Sequence, residues 1–228
     1  MQGKIIAGCD EAGRGCVIGP LVVAGISVSE EREQELRKIG VKDSKMLAHP
    51  KRIKLAKQIE EIAKDIVVMK VSSCKIDAFR KQGVDMNRIE ALKFADIIKL
   101  LAPHLAYIDA PDTNLGKFHR FMSKLVGDGP ELVVRHKADR DYPVVSAASI
   151  IAKVERELEI AKLKEEFGDF GTGYTSDEST ISWLREWLKV NKEFPEHLVR
   201  KSWVTTSMLM GEREQTSLGG WFRGLVRK

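Results

Sequence analysis

The sequence predicts an α/β fold, a sheet covered by helices on both faces, and three observations carry that prediction. Short apolar strands alternate with amphipathic helices along most of the 228 residues. Carboxylates stand at or just beyond the ends of separate strands: Asp10 with Glu11 after the first, Asp109 at the end of the fourth, Asp139 past the fifth. The composition, 43% hydrophobic and 31% charged, is that of a globular chain long enough to bury a sizeable core.

Residues 5–9, IIAGC, read as the first strand, and they run into Asp10, Glu11 and then Ala12-Gly13-Arg14-Gly15. Successive strand side chains point to opposite faces, so two adjacent carboxylates share a site only where the strand stops. Gly13 and Gly15 supply that break and a bare backbone that another molecule can approach. The stretch is either a strand tip suited to a metal ion and a phosphate ester, or a plain Asp-Glu turn closed by glycines.

Residues 20–28 form a second strand, close enough behind the first for an antiparallel hairpin. Residues 30–39 make a charged helix, and 40–45 a polar loop in which Ser44 and Lys45 suit a phosphate, as they also suit solvent. Pro50 opens a helix that buries Ile53, Ala56, Ile59 and Ala63 and leaves Lys51, Lys54 and Lys57 solvated. A third strand (66–71) precedes a short helix (72–81) stopped by Gly83 and a long one (85–101) ended by Pro103. Residues 105–109 form the fourth strand, 115–126 a helix, 131–135 the fifth strand, and the chain from Pro143 to Phe167 a long helix.

Ligands of open α/β sheets bind beyond the strand ends, so the strand-end carboxylates predict one acidic cluster. Clustered carboxylates raise one another's pKa, and divalent cations relieve the repulsion. Oxygen donors without His or Cys favour Mg²⁺ or Mn²⁺ over zinc. The net charge of +5 and pI near 9.0 favour an acidic partner. A basic protein with an acidic, metal-holding pit is suited to two-metal phosphodiester cleavage.

On the long helix Ser146, Ser149, Lys153 and Arg156 line one face, either a solvated stripe or a track for a nucleic-acid backbone. Tyr174 follows the glycine-rich GDFGTG loop and either packs in the core or presents its ring to a sugar or base. Cys9, Cys16 and Cys74 form no C-x-x-C pair, which argues against zinc and a disulfide framework. No apolar run approaches a membrane span and the first residues leave no room for a signal peptide, so a cytoplasmic chain is expected.

The segments DEAGRG (10–15), VKDSK (41–45), YIDAPD (107–112), HKAD (136–139) and YPVVSAASIIAKVERE (142–157) together resemble ribonuclease HII, particularly its archaeal form. The resemblance runs from Ile5 to Trp203. It implies an RNase H-like five-stranded mixed sheet flanked by helices (1–167), a helical C-terminal part (168–210) and a monomer. It also implies an endonuclease that uses two Mg²⁺ or Mn²⁺ ions on RNA/DNA hybrids and on single ribonucleotides in duplex DNA, cutting on the 5′ side and leaving a 5′-phosphate. Asp10, Glu11, Asp109 and Asp139 match its catalytic carboxylates, with Asp10 bridging the ions. Gly13, Arg14 and Gly15 match the loop that contacts the ribose 2′-OH, and Tyr174 the tyrosine that stacks on the next sugar. Cys16, Thr175 and Glu178 depart from usual prolines without removing a carboxylate.

Residues 211–228 read as a flexible tail, yet contain Gln215, Leu218, Trp221 and Phe222. That pattern resembles the peptide that docks on PCNA-type sliding clamps, with Leu218, Trp221 and Phe222 filling an apolar pocket. The alternative is that the aromatics fold back on the domain. Competing readings of the whole chain are another RNase H-like nuclease, of resolvase or ribonuclease HIII type, and an inactive nucleic-acid or clamp accessory. The last predicts loss of a carboxylate, and all four are present.

Overall fold

In the computed structural model, which describes residues 3–42 and 48–225 and side chains as far as Gln215, the apolar runs pair into one five-stranded sheet of order β3-β2-β1-β4-β5. The strands are β1 (Ile5–Ala12), β2 (Leu21–Ser29), β3 (Asp65–Val71), β4 (Leu105–Asp109) and β5 (Glu131–Arg135). β1 pairs antiparallel with β2 and parallel with β4, and β4 parallel with β5, so the sheet is mixed as expected. β2 is buried along almost its whole length, and the edge strands β3 and β5 are half-buried.

The helices are α1 (Glu33–Lys38), α2 (His49–Ile62), α3 (Ser73–Lys81), α4 (Met86–Leu101), α5 (Leu115–Val126), α6 (Ala138–Asp141), α7 (Pro143–Phe167), α8 (Glu178–Val190) and α9 (Val204–Leu225). Their ends follow local chemistry. Asp85 caps α4 by accepting from the Arg88 N–H at 2.8 Å, and Asn114 caps α5 by accepting from the Lys117 N–H at 2.9 Å. Among the described residues no helix is long and apolar enough to cross a membrane.

The chain divides into two compact units, the first comprising Met1–Arg14, Leu21–Lys70 and Val84–Leu158. Its sheet carries helices on both faces, and two strand glycines let them come close. A Cβ on Gly8 would stand 2.4 Å from the Val144 carbonyl carbon of α7, and one on Gly25 2.2 Å from Ile97 Cγ2 of α4. Gly25 lies opposite Cys9 in the ladder, so α7 covers the Gly8 face and α4 the Cys9 face. Val22, Ala24, Ile26 and Val28 of β2 share a core with Leu36, Leu55, Ile59, Val145, Ala148 and Ile151. Tyr107 of β4 stacks on Tyr142, just before α7, at 4.1 Å between ring centroids.

The second unit gathers Gly15–Pro20, Val71–Gly83 and Glu159–Lys228. It is therefore built from three chain segments, where the sequence reading draws a contiguous part from residue 168. Val17, Ile18, Ile160, Phe170, Leu184, Leu198 and Val199 form its core. The fully buried Arg200 donates to the Gly19 carbonyl at 3.0 Å and lies over the Trp203 ring. Both oxygens of Asp77 accept backbone N–H bonds, from Lys201 at 2.7 Å and Ser202 at 2.9 Å. α9 continues to Leu225, so no change of secondary structure marks residue 211, where the tail was expected to begin. Cys9 and Cys16 are buried free thiols, and Cys74 is an exposed one.

Candidate active site

Strand β1 does not stop at Cys9. The antiparallel ladder to β2 continues through Asp10↔Ala24 and Glu11↔Val23 to Ala12↔Val22, whereas β4 accompanies β1 only from Ile6 to Cys9. The expectation that the chain must turn to bring Asp10 and Glu11 together is thus corrected: both lie inside the strand, on the stretch that overruns the end of β4. Strand alternation sends Asp10 toward α7 and Glu11 toward α4. The two carboxyl groups still hydrogen-bond each other at this tip. Asp109 ends β4, and Asp139 sits buried in the first turn of α6, beyond β5.

Burial dominates the electrostatics. It raises the Asp10 pKa, against a hydrogen bond from Ser149, the Glu11 N–H at 2.8 Å and the positive charge of Lys153. Glu11 is held well above the usual carboxylate range by burial, then by the charges of Asp10 and Glu90, with Arg14 opposing. Asp109 is pushed up to about 6 by burial and the Asp10 charge, with Asp139 adding and the Ala138 N–H (3.3 Å) opposing. Lys137 adopts a left-handed conformation (φ 56°) that a non-glycine residue rarely takes, and its N–H, like that of Ala138, hydrogen-bonds Asp109.

The four carboxylates therefore meet as a chain of electrostatic neighbours: Glu11 with Asp10, Asp10 with Asp109, Asp109 with Asp139. Among the described residues no group of three or more Asp, Glu, His or Cys is close enough to hold an ion alone. Mg²⁺ characteristically takes one or two carboxylates and completes its shell with water and substrate phosphates. An all-oxygen donor set under unrelieved negative charge fits such an ion.

The polar stripe of α7 lies elsewhere than expected. Ser146 and Ser149 are 1% exposed and Arg156 is buried, so they face the protein interior and not a nucleic-acid backbone. Helical period fixes which residues share a face but not what covers it. Ser149 hydrogen-bonds Asp10 and accepts from Lys153 Nζ at 2.7 Å, and Ser146 donates to the Asp139 carbonyl. Conversely the apolar Leu158 of the same helix is exposed.

Gly13 takes a positive φ of 84°, and the Arg14 guanidinium turns to α4, donating to Glu90 and Asn87. Glu90 was not anticipated. Its signal in the sequence is a lone carboxylate within the apolar stripe Met86, Phe94, Ile97 of α4, where its side chain is fully buried.

In the second unit Tyr174 is 37% exposed, which sets aside the core-packing reading. A bridge between Cys16 and Tyr174, with the Val17 and Ile18 N–H groups donating to the Gly173 carbonyl at 2.9 and 3.1 Å, brings Gly15 beside that loop. Asp177 shapes the loop by accepting from the Thr172 N–H (2.6 Å) and hydroxyl (2.7 Å), bonds that pull its pKa down to about 2. Ser44 and Lys45 lie outside the described residues, as do the side chains of Leu218, Trp221 and Phe222; Gln215 is exposed.

A mixed sheet of this order, with carboxylates at its strand tips and helices on both faces, defines an RNase H-like protein. The Ribonuclease HII family profile matches residues 7–206. A curated ribonuclease HII from Archaeoglobus fulgidus is 48% identical over 203 residues, 89% of this chain and 95% of the relative. The solved PCNA:RNase HII complex from that organism is similar with a TM-score of 0.81 at 48% identity, covering 87% of this chain and 95% of that one. The crystal structure of ribonuclease H2 from Pyrococcus horikoshii OT3 gives a TM-score of 0.86 at 40% identity, covering 92% and 99%. Bst-RNase HIII in complex with Mn²⁺, 21% identical with a TM-score of 0.79 over 94% of this chain and 72% of that one, shares the fold. The chain belongs to the ribonuclease HII family and is a ribonuclease H of that type.

Proposed function

We propose that the chain cleaves the RNA strand of RNA/DNA hybrids and cuts on the 5′ side of single ribonucleotides in duplex DNA, with Asp10, Glu11, Asp109 and Asp139 holding two Mg²⁺ or Mn²⁺ ions. The observation that carries the reading is the run of mutually repelling carboxylates where β1 overruns β4. When bound, the ions supply Lewis acidity at the scissile phosphate and lower the pKa of the attacking water. The protein's own part is to keep the ligands ionised and aimed. Ser149, Lys153 and the Glu11 N–H favour ionised Asp10, and the Ala138 and Lys137 N–H groups favour ionised Asp109. Gly13, Arg14, Gly15 and Tyr174 read the sugar, Arg14 being held in place by Glu90 and Asn87.

The test is incubation with a duplex carrying one ribonucleotide, with Mg²⁺ and with EDTA. Cleavage on the 5′ side of the ribonucleotide in Mg²⁺ alone is expected, and uncut duplex in Mg²⁺ rejects the reading. Run against pH at limiting Mg²⁺, the same assay is expected to lose activity as pH falls through about 6, where Asp109 takes up a proton. The stability of the metal-free protein runs the other way. A raised carboxyl pKa penalises the ionised form, so the contribution of Asp109 disfavours folding as pH rises from 3.8 to about 6 and stays level above.

We further infer that residues 215–222 dock on a PCNA-type sliding clamp. The support is the Gln215, Leu218, Trp221, Phe222 pattern and the PCNA complex of a similar chain. Trp221→Ala with Phe222→Ala is expected to abolish clamp binding, itself on the order of micromolar, while cleavage of short free duplexes persists. Clamp binding that survives the double substitution rules the motif out.

A further inference from the structure

We propose that a cleft between α4 and α5 seats the phosphate backbone of the nucleic-acid duplex, a site separate from the carboxylates and from the sugar-reading loop. The proposal rests on the nuclease reading above and extends it to the grip on the duplex.

The cleft has a volume of about 240 Å³ and is lined by Arg88, Lys117, Arg120 and Lys124, by Phe118 and Phe121, and by Asp85, Asn87 and Asp112. Its four cations form no ion pair among the described residues, unlike most lysines and arginines that face the solvent on α7 and α8. The two carboxylates in the lining offset only part of that charge, four cations against Asp85 and Asp112, and each also accepts a backbone N–H. Asp85 takes that of Arg88 at 2.8 Å, and Asp112 takes that of Asn114 at 2.9 Å. Asp112 is held below the usual carboxylate range by the Asn114 N–H, then by Asn87 and the charges of Lys117 and Arg14, so it keeps its negative charge and the cleft retains a net excess of positive charge.

The arrangement is a stripe. α5 turns Phe118 and Met122 into the core and leaves Lys117, Arg120 and Lys124 exposed at spacings of three and four. Lys117 and Lys124 stand about 10 Å apart along the helix axis, about three nucleotide steps of a strand running beside it. Phe121, half-buried between the cations, offers an apolar surface to the sugars. The cleft is also continuous with the catalytic side of the molecule. Asn87 lines it and also accepts from Arg14, and Asp112 follows Asp109 at the end of β4. A strand seated on α5 would therefore lie beside the Glu11 face of the carboxylate notch.

The test measures binding without chemistry. Fluorescence anisotropy with a labelled duplex carrying one ribonucleotide, in EDTA, is followed against salt for the full chain and for Lys117→Gln/Arg120→Gln/Lys124→Gln. Affinity is expected to fall roughly tenfold or more. The slope of log K against log salt should shrink by about 0.9 for each phosphate that the variant no longer neutralises, about two to three in all. KM for cleavage should rise by a similar factor. A control, Lys51→Gln/Lys54→Gln/Lys57→Gln on exposed positions of α2, removes the same charge elsewhere and should change the slope little. An unchanged slope in the α5 variant, or an equal loss in the α2 control, overturns the proposal. Normal salt-dependent binding by a chain that cannot cut in Mg²⁺ would instead reject the nuclease reading and leave the seat standing.

Discussion

Asp10→Asn is expected to abolish cleavage and, in the absence of metal, to raise the melting temperature. Asn keeps the shape of Asp but removes one of the charges that would hold the ions. A metal ion contributes several kcal/mol to stabilising a phosphoryl transition state, so the loss should reach about a thousandfold or more. The stability effect has the opposite sign. Asp10 is 6% exposed and burial raises its pKa, so the folded state penalises the ionised form of this carboxyl group. Relief of that penalty raises the melting temperature by about 2–4 °C for each kcal/mol. Lys153 supplies the counter-argument, since it loses a partner charge. Calorimetry in EDTA decides which effect wins: a lower melting temperature means the Asp10–Lys153 attraction outweighs desolvation. Substantial cleavage by Asp10→Asn at millimolar Mg²⁺ would remove Asp10 from the site.

Gly8→Ala should be among the most damaging substitutions available to so small a side chain. The added methyl would meet the Val144 carbon at 2.4 Å, the Val145 nitrogen at 2.5 Å and the Val144 oxygen at 2.6 Å. All three are backbone atoms, so nothing can rotate aside and α7 must lift from the sheet. Overpacking costs typically about 1–3 kcal/mol and more where the surroundings are rigid, a large share of a stability of about 5–15 kcal/mol. Activity should fall with it, because α7 carries Ser146, Ser149 and Lys153, which support Asp139 and Asp10. Gly25→Ala provides the comparison: its nearest neighbour, Ile97 Cγ2 at 2.2 Å, belongs to a side chain that can change rotamer. Urea unfolding of both variants should show the larger loss for Gly8→Ala, and equal losses would contradict the backbone argument.

Gly8 also illustrates what could and could not be read in advance. β4, β5 and α5 have the bounds read from the sequence, 105–109, 131–135 and 115–126. The carboxylates themselves were legible, since each stands where an apolar run ends. Their geometry was not. Two adjacent charges look like the end of a strand, and only the length of β2 shows that β1 continues beneath them. α6 has four residues, too few for any period to appear. The inward turn of Ser146, Ser149 and Arg156 depends on α7 lying against the sheet, a contact made through Gly8, distant in sequence from all three. Glu90 meets Arg14 across 76 residues, beyond the reach of any local pattern. Gly211, Gly219 and Gly220 obscured the last turns of α9 because glycine is a poor helix former, although the backbone is helical there.

The three-segment make-up of the second unit sets a timetable for biosynthesis. Val17 and Ile18 donate to the Gly173 carbonyl, Gly19 to that of Leu198, and Val17 in turn accepts from Arg200. Residues near the start of the chain thus have partners roughly 150–180 residues later, which a ribosome working at about 5–20 residues per second delivers only after about 10–40 s. Through that interval the apolar Val17 and Ile18, which end fully buried, are made but not yet housed. The sheet and α7, by contrast, are complete once residue 167 has emerged. A nascent chain halted between residues 167 and 198 would accordingly hold a formed sheet beside an exposed, apolar hook, the form most prone to engage a chaperone or a second copy of itself.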